Sequence, residues 1–259
     1  MLNRLEERLK QLKKVAICYS GGIDSSFLLY FANKVLSKEN VLAIIVNGQM
    51  VARYEYIEAI NFIKENGFKY KEIPYDALEV KEFKENHKDR CYHCKKSMMT
   101  KIKQEAKENG FENILDGENA DDAKSYRPGS KATKELGIIS PLAECGFKKN
   151  DIRKNAKELG IKFWNKPSNS CLATRFPYNT NLTNEDLRKV EIAEILIKEL
   201  KIPKVRLRVH KDIARIEVDK VYFETIIKNE KTIKQIQDLG FEFVTLDLNG
   251  IKTGNFDKK

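Results

Sequence analysis

The sequence has no apolar stretch long enough to cross a bilayer, and its first residues form a charged amphipathic pattern rather than an export signal. We therefore expect a cytoplasmic protein that has no membrane partner. The chain also has no internal repeats and no low-complexity segments. With 259 residues, of which 41% are hydrophobic, it is long enough to form one large core, or a large and a small domain.

Cysteine is scarce: the chain has five, and without an export signal they argue against a disulfide framework. Cys18 lies in the first apolar run, so we expect it to behave as a small buried hydrophobe. Cys145 precedes Gly146 in a predicted loop, and the sequence assigns it no role. The remaining cysteines, which are candidates for chemistry, are Cys91, Cys94 and Cys171.

The formal net charge of +10 favours anionic partners, and phosphorylated small molecules, nucleic acid and acidic surfaces all qualify. Much of the excess is lysine interspersed with glutamate on predicted helices, which is typical of a solvated face. The charge therefore does not choose among these partners.

The most informative segment is residues 20–26, SGGIDSS, which joins an apolar strand beginning at Val15 to a helix. Two glycines and a hydroxyl-rich helix start bring unpaired backbone N–H groups and the positive helix end to one point, where a phosphate can bind. The candidate nucleotide ligands in this loop are Ser20, Gly21, Gly22, Asp24, Ser25 and Ser26. Asp24 is either a simple helix cap or a residue that orients magnesium on the phosphates.

The loop lacks the lysine of a GxxxxGK[ST] motif, so it is not that phosphate loop. Its SGGxDSS pattern resembles the PP-loop of ATP pyrophosphatases, and this resemblance implies that ATP is split between its α- and β-phosphates to adenylate a substrate oxygen. The alternative is an ordinary strand-turn-helix whose glycines serve only the turn.

The apolar pattern that follows predicts an α/β fold, a doubly wound parallel sheet of the PP-loop, HUP-like kind. Predicted strands at 41–46, 70–75 and 114–116 alternate with helices, one of them at 53–65. Because ligands gather at the carboxyl ends of such strands, Asn47 and Gly117 are further nucleotide-binding candidates. Asp121 and Asp122, beyond the fourth strand, bind magnesium or cap a helix.

The pattern predicts a domain boundary after residue 175, where Pro177 and polar residues interrupt the periodicity. Residues 1–175 are then the ATP pyrophosphatase domain, and residues 176–259 form a small α+β domain. We expect in it a helix at 184–201 and an antiparallel sheet from strands at 205–210, 214–218 and 242–246.

A CxxC pair formed by Cys91 and Cys94 is followed at once by Lys95, and Cys171 lies in the segment KPSNSCLATRFPY. One CxxC alone fits zinc, a redox pair or an iron–sulfur cluster. Together with an ATP-binding loop, the cysteines indicate that an activated carbon is presented to a sulfur nucleophile. ATP converts a poor leaving oxygen into AMP, and the sulfur then attacks the activated carbon.

Six segments together, SGGIDSS, DRCYHCKK, DGENADDAKSYRPG, SPL, KPSNSCLATRFPY and VRLRVHKDIARIEV, resemble the LarE family of ATP-dependent sulfur transferases, over nearly the whole chain. The family helps to make the nickel-pincer nucleotide of lactate racemase. The resemblance implies a pyridinium mononucleotide substrate with two carboxylates, one of which is adenylated and converted to a thiocarboxylate with release of AMP and pyrophosphate. It also implies ATP and Mg²⁺ as cofactors, sulfide or another sulfur donor, and a homo-oligomer.

In one branch of this family a lone cysteine at the position of Cys171 gives up its own sulfur and ends as dehydroalanine. This chain also has Cys91 and Cys94, which match the branch whose three cysteines hold a [4Fe-4S] cluster. Three thiolates would leave the fourth iron open to carry a hydrosulfide. We expect Cys91, Cys94 and Cys171 to bind such a cluster, with a sacrificial Cys171 as the alternative; zinc with His93 is disfavoured by the spacing.

Four cations are candidates for binding the anionic reactants. Lys95 is expected to stabilise the adenylate or the substrate phosphate, unless it is only an exposed lysine at a helix start. Arg206 and Arg208 stand two apart on one predicted strand, so they share a face that either binds a carboxylate or phosphate or forms a salt-bridged surface. Arg175, four residues after Cys171, is a further anion-binding candidate.

Two other functions compete with this one. A tRNA thiolation enzyme would fit the charge and the three cysteines, but no added RNA-binding domain is recognisable, so nucleic acid is not an expected partner. A non-catalytic nucleotide-binding or iron–sulfur protein is the other alternative. An ammonia-using amidotransferase such as NAD synthetase shares the ATP loop but has no need of the three cysteines.

Overall fold

The structure, a computed structural model, describes residues 1–124, 128–167 and 170–252. Its strands are β1 Val15–Tyr19, β2 Val41–Asn47, β3 Tyr70–Pro74, β4 Asn113–Leu115, β5 Val205–His210, β6 Ile213–Val218 and β7 Phe243–Leu246. Its α-helices are α1 Leu2–Leu12, α2 Ile23–Val35, α3 Arg53–Glu65, α4 Lys81–Lys84, α5 Arg90–Glu108, α6 Ala120–Lys124, α7 Pro128–Glu135, α8 Pro141–Glu144, α9 Lys149–Glu158, α10 Asn184–Lys198, α11 Phe223–Ile227 and α12 Glu230–Asp238.

The chain divides into two compact units. The first, called here the ATP-loop unit, consists of residues 1–76 and 89–169, and the second, the C-terminal unit, consists of residues 77–88 and 170–259. The boundary that we place after residue 175 stays a prediction.

The ATP-loop unit contains a parallel sheet with strand order β3-β2-β1-β4. Val15 pairs with Val41 on one side and with Asn113 on the other, so β1 lies inside the sheet. Every residue of β1 is buried, as expected for a strand covered on both faces. This arrangement confirms the predicted α/β fold with a parallel sheet.

Helices cover both faces of that sheet. On one face, α1 and α2 contribute Leu5, Leu9 and Phe27 to a core that also contains Ile17 of β1. On the other, Met99 and Ile102 of α5 pack among the side chains that include Cys18, which is buried as predicted. The alternation of inward directions along β1 thus feeds two separate cores, which is what a doubly wound sheet requires.

The C-terminal unit contains a second, smaller sheet with strand order β5-β6-β7. The first two strands pair antiparallel, with Arg206 opposite Glu217. The expectation of a wholly antiparallel sheet is wrong, because β7 runs parallel to β6. The chain between these two strands passes through α11 and α12, and such a crossover brings the next strand back in the same direction.

Residues 77–88 join the C-terminal unit although they lie far from it in sequence. The buried Asn86 holds them there, since its amide donates to the carbonyl oxygens of Phe176 at 3.2 Å and Pro177 at 2.7 Å. Its backbone oxygen accepts from Asn179 N at 3.1 Å.

Among the described residues, none of the helices has the length and apolar character that a bilayer span requires.

Candidate functional site

The predicted phosphate loop lies at the carboxyl end of β1, where the chain turns into α2. Gly21 adopts a left-handed backbone with φ of +72° and is pressed against α3. A Cβ added at Gly21 would lie 2.5 Å from Cβ of Ala59, so a larger residue would displace the loop or the helix. Around Gly22 there is room: beyond its chain neighbours, the Ser20 hydroxyl, at 3.5 Å, is the only group of the described residues within 4 Å of an added Cβ.

The loop's serines play two different structural parts. Ser25 donates its hydroxyl to the carbonyl oxygen of Gly22 at 3.0 Å, and its Oγ lies 3.1 Å from Oγ of Ser20. Both hydroxyls therefore lie at the turn itself. Ser26 is fully buried, and its hydroxyl is paired with that of Tyr19 at 3.2 Å. The inward position of Ser26 favours a part in holding the loop rather than in contacting a ligand.

Asp24 is not a simple helix cap, because Gly22 occupies the cap position of α2 and Asp24 follows two residues later. One of its carboxylate oxygens, Oδ2, forms an ion pair with Lys149 of α9 and lies 3.5 Å from the amide of Asn119. The other, Oδ1, is buried and has no hydrogen-bond partner in the described part of the chain. Burial raises the pKa of Asp24, and Lys149 opposes that rise.

Asp121 and Asp122, the two aspartates after β4, lie in the first turn of α6. Asn119, rather than either aspartate, accepts from the first backbone N–H groups of α6, those of Asp121 at 2.9 Å and Asp122 at 3.1 Å. Asp121 accepts instead from the backbone N–H of Lys149 at 2.9 Å, at the start of α9. Helix capping is therefore observed for Asp121, although the helix is a different one from α6.

Lys95 of α5 reaches the same edge of the sheet. Its ammonium lies 3.9 Å from Oδ2 of Asp116, the residue that follows β4. The buried Asp116 carboxylate also accepts from Ser140 Oγ at 2.7 Å and from the backbone N–H of Glu118 at 3.1 Å. Burial raises the pKa of Asp116, and the charge of Lys95 opposes the rise. Lys95 thus lies beside a buried carboxylate, and its role in stabilising the adenylate or the substrate phosphate stays a prediction.

Gly117 brings β4 close to the start of α2. A Cβ at this position would lie 2.8 Å from the backbone nitrogen of Ser25, so a larger residue would push against the phosphate loop. Asn47, at the end of β2, donates its amide to Glu72 at 2.8 Å and accepts from Arg53 at 3.4 Å. Its side chain is therefore already engaged with two charged neighbours, and its role as a nucleotide ligand stays a prediction.

The CxxC pair lies in the first two turns of α5, where residues three apart share a helix face. Cys91 is exposed, whereas Cys94 is partly buried, and burial raises the pKa of Cys94 to about 11. The hydroxyl of Tyr75 donates to the backbone oxygen of Cys94 at 3.1 Å and lies 3.8 Å from its sulfur. Over the residues that the structure describes, no group of three or more His, Cys, Asp or Glu side chains is arranged to hold a metal ion.

The third cysteine belongs to the C-terminal unit, where it begins the short 3₁₀ turn Leu172–Arg175. Ser168 and Asn169 of its motif lie outside the described residues. The backbone oxygen of Cys171 accepts from Thr174 twice, from N at 3.0 Å and from Oγ1 at 2.7 Å. Cys171 therefore sits at the start of a turn whose backbone is firmly bonded.

The predicted arginine pair lies on β5. Arg208 bonds Glu217 of β6 at 3.2 Å and donates to the carbonyl oxygen of Thr174. Arg206 donates to the carbonyl oxygen of Lys252 at 3.1 Å. Burial lowers the pKa of Arg206, and the charges of Arg208 and Arg175 lower it further. Both side chains are buried, and Arg208 is salt-bridged to Glu217 within the sheet, as the salt-bridge alternative expects. Anion binding by the pair stays a prediction.

Arg175 is directed into the C-terminal unit. Its guanidinium forms a two-pronged ion pair with Glu194 of α10, at 2.8 and 3.0 Å. It also donates to the carbonyl oxygen and the hydroxyl of Ser170, at 2.8 and 2.7 Å. These bonds favour a structural part for Arg175, and its role in binding an anion stays a prediction.

The sequence patterns do not single out several polar residues of these sites, among them Lys149 and Glu194. Lys149 is one lysine in a lysine-rich stretch, and nothing nearby distinguishes it from its neighbours. Glu194 has a recognisable signal: it lies on the buried face of α10 together with Val190 and Ile197. A carboxylate on an otherwise apolar helix face indicates a buried partner.

Comparison with known proteins gives concordant matches. A family model described as NAD synthase matches residues 2–109. The chain is 38% identical, over 96% of its length and 91% of the relative's, to a pyridinium-3,5-bisthiocarboxylic acid mononucleotide synthase of Lactiplantibacillus plantarum. Uncharacterised proteins of Synechocystis and Methanocaldococcus jannaschii are 32% and 33% identical, over 99% and 95% of this chain and 97% and 93% of their own lengths. The similarity extends through both units.

Proposed function

The chain belongs to the LarE family, the family of the Lactiplantibacillus plantarum synthase, and from this premise we propose that it is an ATP-dependent sulfur transferase. Its substrate is a pyridinium mononucleotide that carries two carboxylates. It adenylates a carboxylate and converts it to a thiocarboxylate, as a step in making the nickel-pincer nucleotide. AMP and pyrophosphate are the other products.

The observation that carries the proposal is the phosphate loop at the carboxyl end of β1. Gly21 packs against Ala59, which fixes the turn, while Gly22 leaves the approach to the start of α2 open. The 13 residues of α2 direct their positive end to this opening. A triphosphate bound there would meet backbone N–H groups and the hydroxyls of Ser20 and Ser25.

Magnesium is the cation that we expect beside these phosphates. Oδ1 of Asp24 is a buried carboxylate oxygen with no hydrogen-bond partner among the described residues, so the site offers an oxygen ligand of the kind that Mg²⁺ prefers. When bound, Mg²⁺ would neutralise phosphate charge and orient the leaving pyrophosphate. Lys149, now paired with Oδ2 of the same aspartate, supplies a second positive charge at this point.

Adenylation requires that a substrate carboxylate oxygen attack the α-phosphorus of ATP. The new P–O bond gives an acyl adenylate, and the bond to the β-phosphate breaks with release of pyrophosphate. Charge accumulates on the phosphate oxygens during this step, and a fixed cation nearby stabilises it. Lys95, held at the same edge of the sheet by Asp116, is the residue that we assign to this task.

The anionic substrate is expected to bind to Arg206 and Arg208. Three buried or largely buried guanidiniums, those of Arg175, Arg206 and Arg208, lie near two carboxylates, Glu194 and Glu217. The positive charge therefore exceeds the negative charge in this group. A carboxylate or phosphate of the substrate would restore the balance, and arginine binds such groups with two parallel hydrogen bonds.

Sulfur transfer is assigned to the three candidate cysteines. Cys91 and Cys94 fit two of the three thiolate positions of such a [4Fe-4S] cluster, since both residues lie on one helix face near the start of α5. Cys171 is the proposed third ligand, and the cluster, when bound, would supply a site for exchangeable sulfide. In the alternative, Cys171 itself is the donor: once its sulfur is bonded to the substrate carbonyl carbon, a base removes the Cα proton of Cys171. The Cβ–S bond then breaks, the thiocarboxylate leaves with the electron pair, and dehydroalanine remains.

In either case a sulfur nucleophile attacks the carbonyl carbon of the acyl adenylate. A C–S bond forms, the C–O bond to phosphate breaks, and AMP leaves with the electron pair. The homo-oligomer, the external sulfur donor and the cytoplasmic location remain predictions that follow from the resemblance and the composition.

Mass spectrometry of protein and product after anaerobic turnover with ATP, the pyridinium dicarboxylate and sulfide tests this function. We expect pyrophosphate, AMP and a product in which sulfur replaces oxygen. Iron and sulfide assays of the reconstituted protein distinguish the two sulfur sources, since the sacrificial route predicts no iron and a loss of one sulfur from Cys171. Cys171→Ala should abolish product, whereas Cys145→Ala, at a buried thiol outside these sites, should not. Absence of acceptor-dependent pyrophosphate release would refute the proposal.

A further inference from the structure

Glu194 is a buried carboxylate next to the turn Leu172–Arg175, at 1% exposure on a helix face otherwise formed by apolar side chains. It lies inside α10, before the last turn of the helix. A buried carboxylate is costly unless charged and polar groups satisfy its oxygens. The hydrogen-bond partners of Glu194 therefore indicate its role.

Both oxygens of Glu194 are occupied by donors from two other segments. Oε1 accepts from Nε of Arg175 at 2.8 Å, and Oε2 accepts from the second guanidinium nitrogen of Arg175 at 3.0 Å. Oε1 also accepts from the backbone N–H of Leu207 at 2.9 Å. Leu207 stands between Arg206 and Arg208 on β5, so one carboxylate joins the turn after Cys171 to the strand of the arginine pair.

The turn is joined to the same strand a second time. The remaining guanidinium nitrogen of Arg175 donates to the carbonyl oxygens of Ser170 at 2.8 Å and Cys171 at 3.3 Å. Arg208 donates to the carbonyl oxygen of Thr174, on the other side of the turn. The backbone on both sides of the cysteine is thus tied to β5 through charged groups.

We propose that Glu194 is a positioning residue, which through Arg175 and Leu207 fixes Cys171 at a constant separation from the Arg206–Arg208 strand. The reason for this positioning rests on the proposed function: the sulfur of Cys171 and the guanidiniums that bind the substrate anion must contact the same substrate molecule. Reactions of this kind lose about a hundredfold in rate when a group is displaced by roughly 1 Å. A carboxylate with three donors prevents such a displacement.

The alternative is that Glu194 only balances the charge of Arg175 and stabilises the unit. Arg175→Lys separates the two roles, because lysine keeps the positive charge but cannot bond Glu194, Ser170 and Cys171 together. Glu194→Asp provides a second variant, since it keeps the charge and shortens the reach. Ile236→Val, in the buried part of α12 in the same unit, serves as the control for a general loss of stability.

The readout is the rate at which iodoacetamide alkylates Cys171 in the full chain, reduced and freed of metal, with each cysteine quantified by peptide mass spectrometry. Cys91, an exposed thiol of the other unit, is the internal reference. We expect Arg175→Lys and Glu194→Asp to raise the Cys171 rate about tenfold, the factor for losing one hydrogen bond to a charged group. The Cys91 rate should stay unchanged, and so should both rates in Ile236→Val.

In turnover, the same two variants should lower kcat while leaving KM for ATP unchanged, because ATP binds in the other unit. A Cys171 alkylation rate within twofold of the wild type in both variants, with the unit folded by circular dichroism, would overturn the inference. An equal rise in Ile236→Val would also overturn it. The alkylation assay needs no turnover, so its result is independent of whether the proposed sulfur transfer occurs.

Discussion

The candidate sites of the two units differ in how far their charged groups are buried. At the sheet edge of the ATP-loop unit, backbone groups and small residues dominate, and the ion pair of Lys149 with Asp24 leaves 26% and 17% of the two side chains exposed. In the C-terminal unit, the pairs of Arg175 with Glu194 and Arg208 with Glu217 are at most 5% exposed. Charges near water are readily exchanged for those of a ligand, whereas buried ones are fixed by the fold.

This difference teaches how each site is suited to its proposed partner. In the proposed reaction ATP binds together with Mg²⁺ and leaves as AMP and pyrophosphate, so exchangeable contacts are appropriate to it. The substrate anion and the cysteine need a constant geometry, and buried arginines with fixed carboxylates provide it. The variants below test whether the buried network depends more strongly on single charges than the sheet edge does.

The largest effect is expected from Glu217→Gln in the buried network. Glu217 bonds Arg208 at 3.2 Å and Arg215 at 3.1 Å, and removal of its charge leaves both guanidiniums without that neutralising partner. We expect the free energy of unfolding, measured by urea titration, to fall by about 3–5 kcal/mol.

Glu135→Gln is the matched control for this variant. Glu135 pairs with Lys96 on the surface of the ATP-loop unit at 2.8 Å, with both side chains well exposed. Its loss should cost at most about 1 kcal/mol. Equal costs for the two substitutions would contradict the distinction between a buried network and an exposed edge.

The next effect is expected from Gly21→Ala in the phosphate loop. The added Cβ would lie 2.5 Å from Ala59, and φ of +72° adds backbone strain. Because the loop must shift to relieve the contact, we expect ATP-dependent pyrophosphate release to fall about a hundredfold. Pyrophosphate assays at saturating ATP measure this.

Gly137→Ala isolates the contribution of the contact with Ala59. Gly137 has nearly the same backbone, with φ of +68°, but beyond its chain neighbours no atom of the residues that the structure describes lies within 4 Å of an added Cβ. It should lower stability by about 1 kcal/mol from strain and leave pyrophosphate release within about twofold. A similar loss of activity in both variants would show that strain, and not the packing of the loop on α3, is decisive.

Lys95→Met should follow with a loss of about tenfold in pyrophosphate release. Its ammonium is the cation that Asp116 holds at the sheet edge, and a partly exposed cation contributes less than a buried, preorganised one. Lys96→Met is the control at the adjacent position, since Lys96 points to the surface pair with Glu135. If Lys96→Met lowered the rate as much as Lys95→Met, the assignment of Lys95 to the reaction would be wrong.

The contrast between the units also explains how far the sequence could predict them. The phosphate loop is contiguous, and its glycines and serines have strong local preferences, so residues 20–26 indicate their turn and helix directly. The same holds for β2 and α3, whose predicted and observed bounds agree to within one residue. Periodicity and turn chemistry are local properties, and these elements depend on little else.

The buried network is distributed over four segments, and no local pattern records which of them meet. Residues 77–88 join the C-terminal unit through bonds of Asn86 to Phe176 and Pro177, a contact between positions about 90 apart in sequence. The direction of β7 likewise depends on how α11 and α12 pack. Such pairings are set by tertiary packing, which periodicity cannot specify.

The smallest expected effect is on the dependence of stability on pH, for which one aspartate of each unit is compared. Burial raises the pKa of Asp116 in the ATP-loop unit, in spite of Lys95. In the C-terminal unit burial acts in the same direction on Asp247, but bonds from Asn249 and the charge of Arg215 outweigh it and hold the pKa of Asp247 below the usual value. The two aspartates should therefore make contributions of opposite sign.

A carboxyl group with a raised pKa in the folded state binds its proton more tightly than in the unfolded chain, so its favourable contribution is lost as pH rises above the ordinary value of 3.8. Asp116→Asn, which cannot ionise, should thus gain stability relative to the wild type as pH increases through this range. Asp247→Asn should lose stability relative to the wild type as pH rises toward 3.8, because ionised Asp247 favours folding. Urea titrations at a series of pH values measure both differences. Slopes of the same sign would mean that the sheet edge does not desolvate Asp116, and its carboxylate would then need no neighbouring cation such as Lys95.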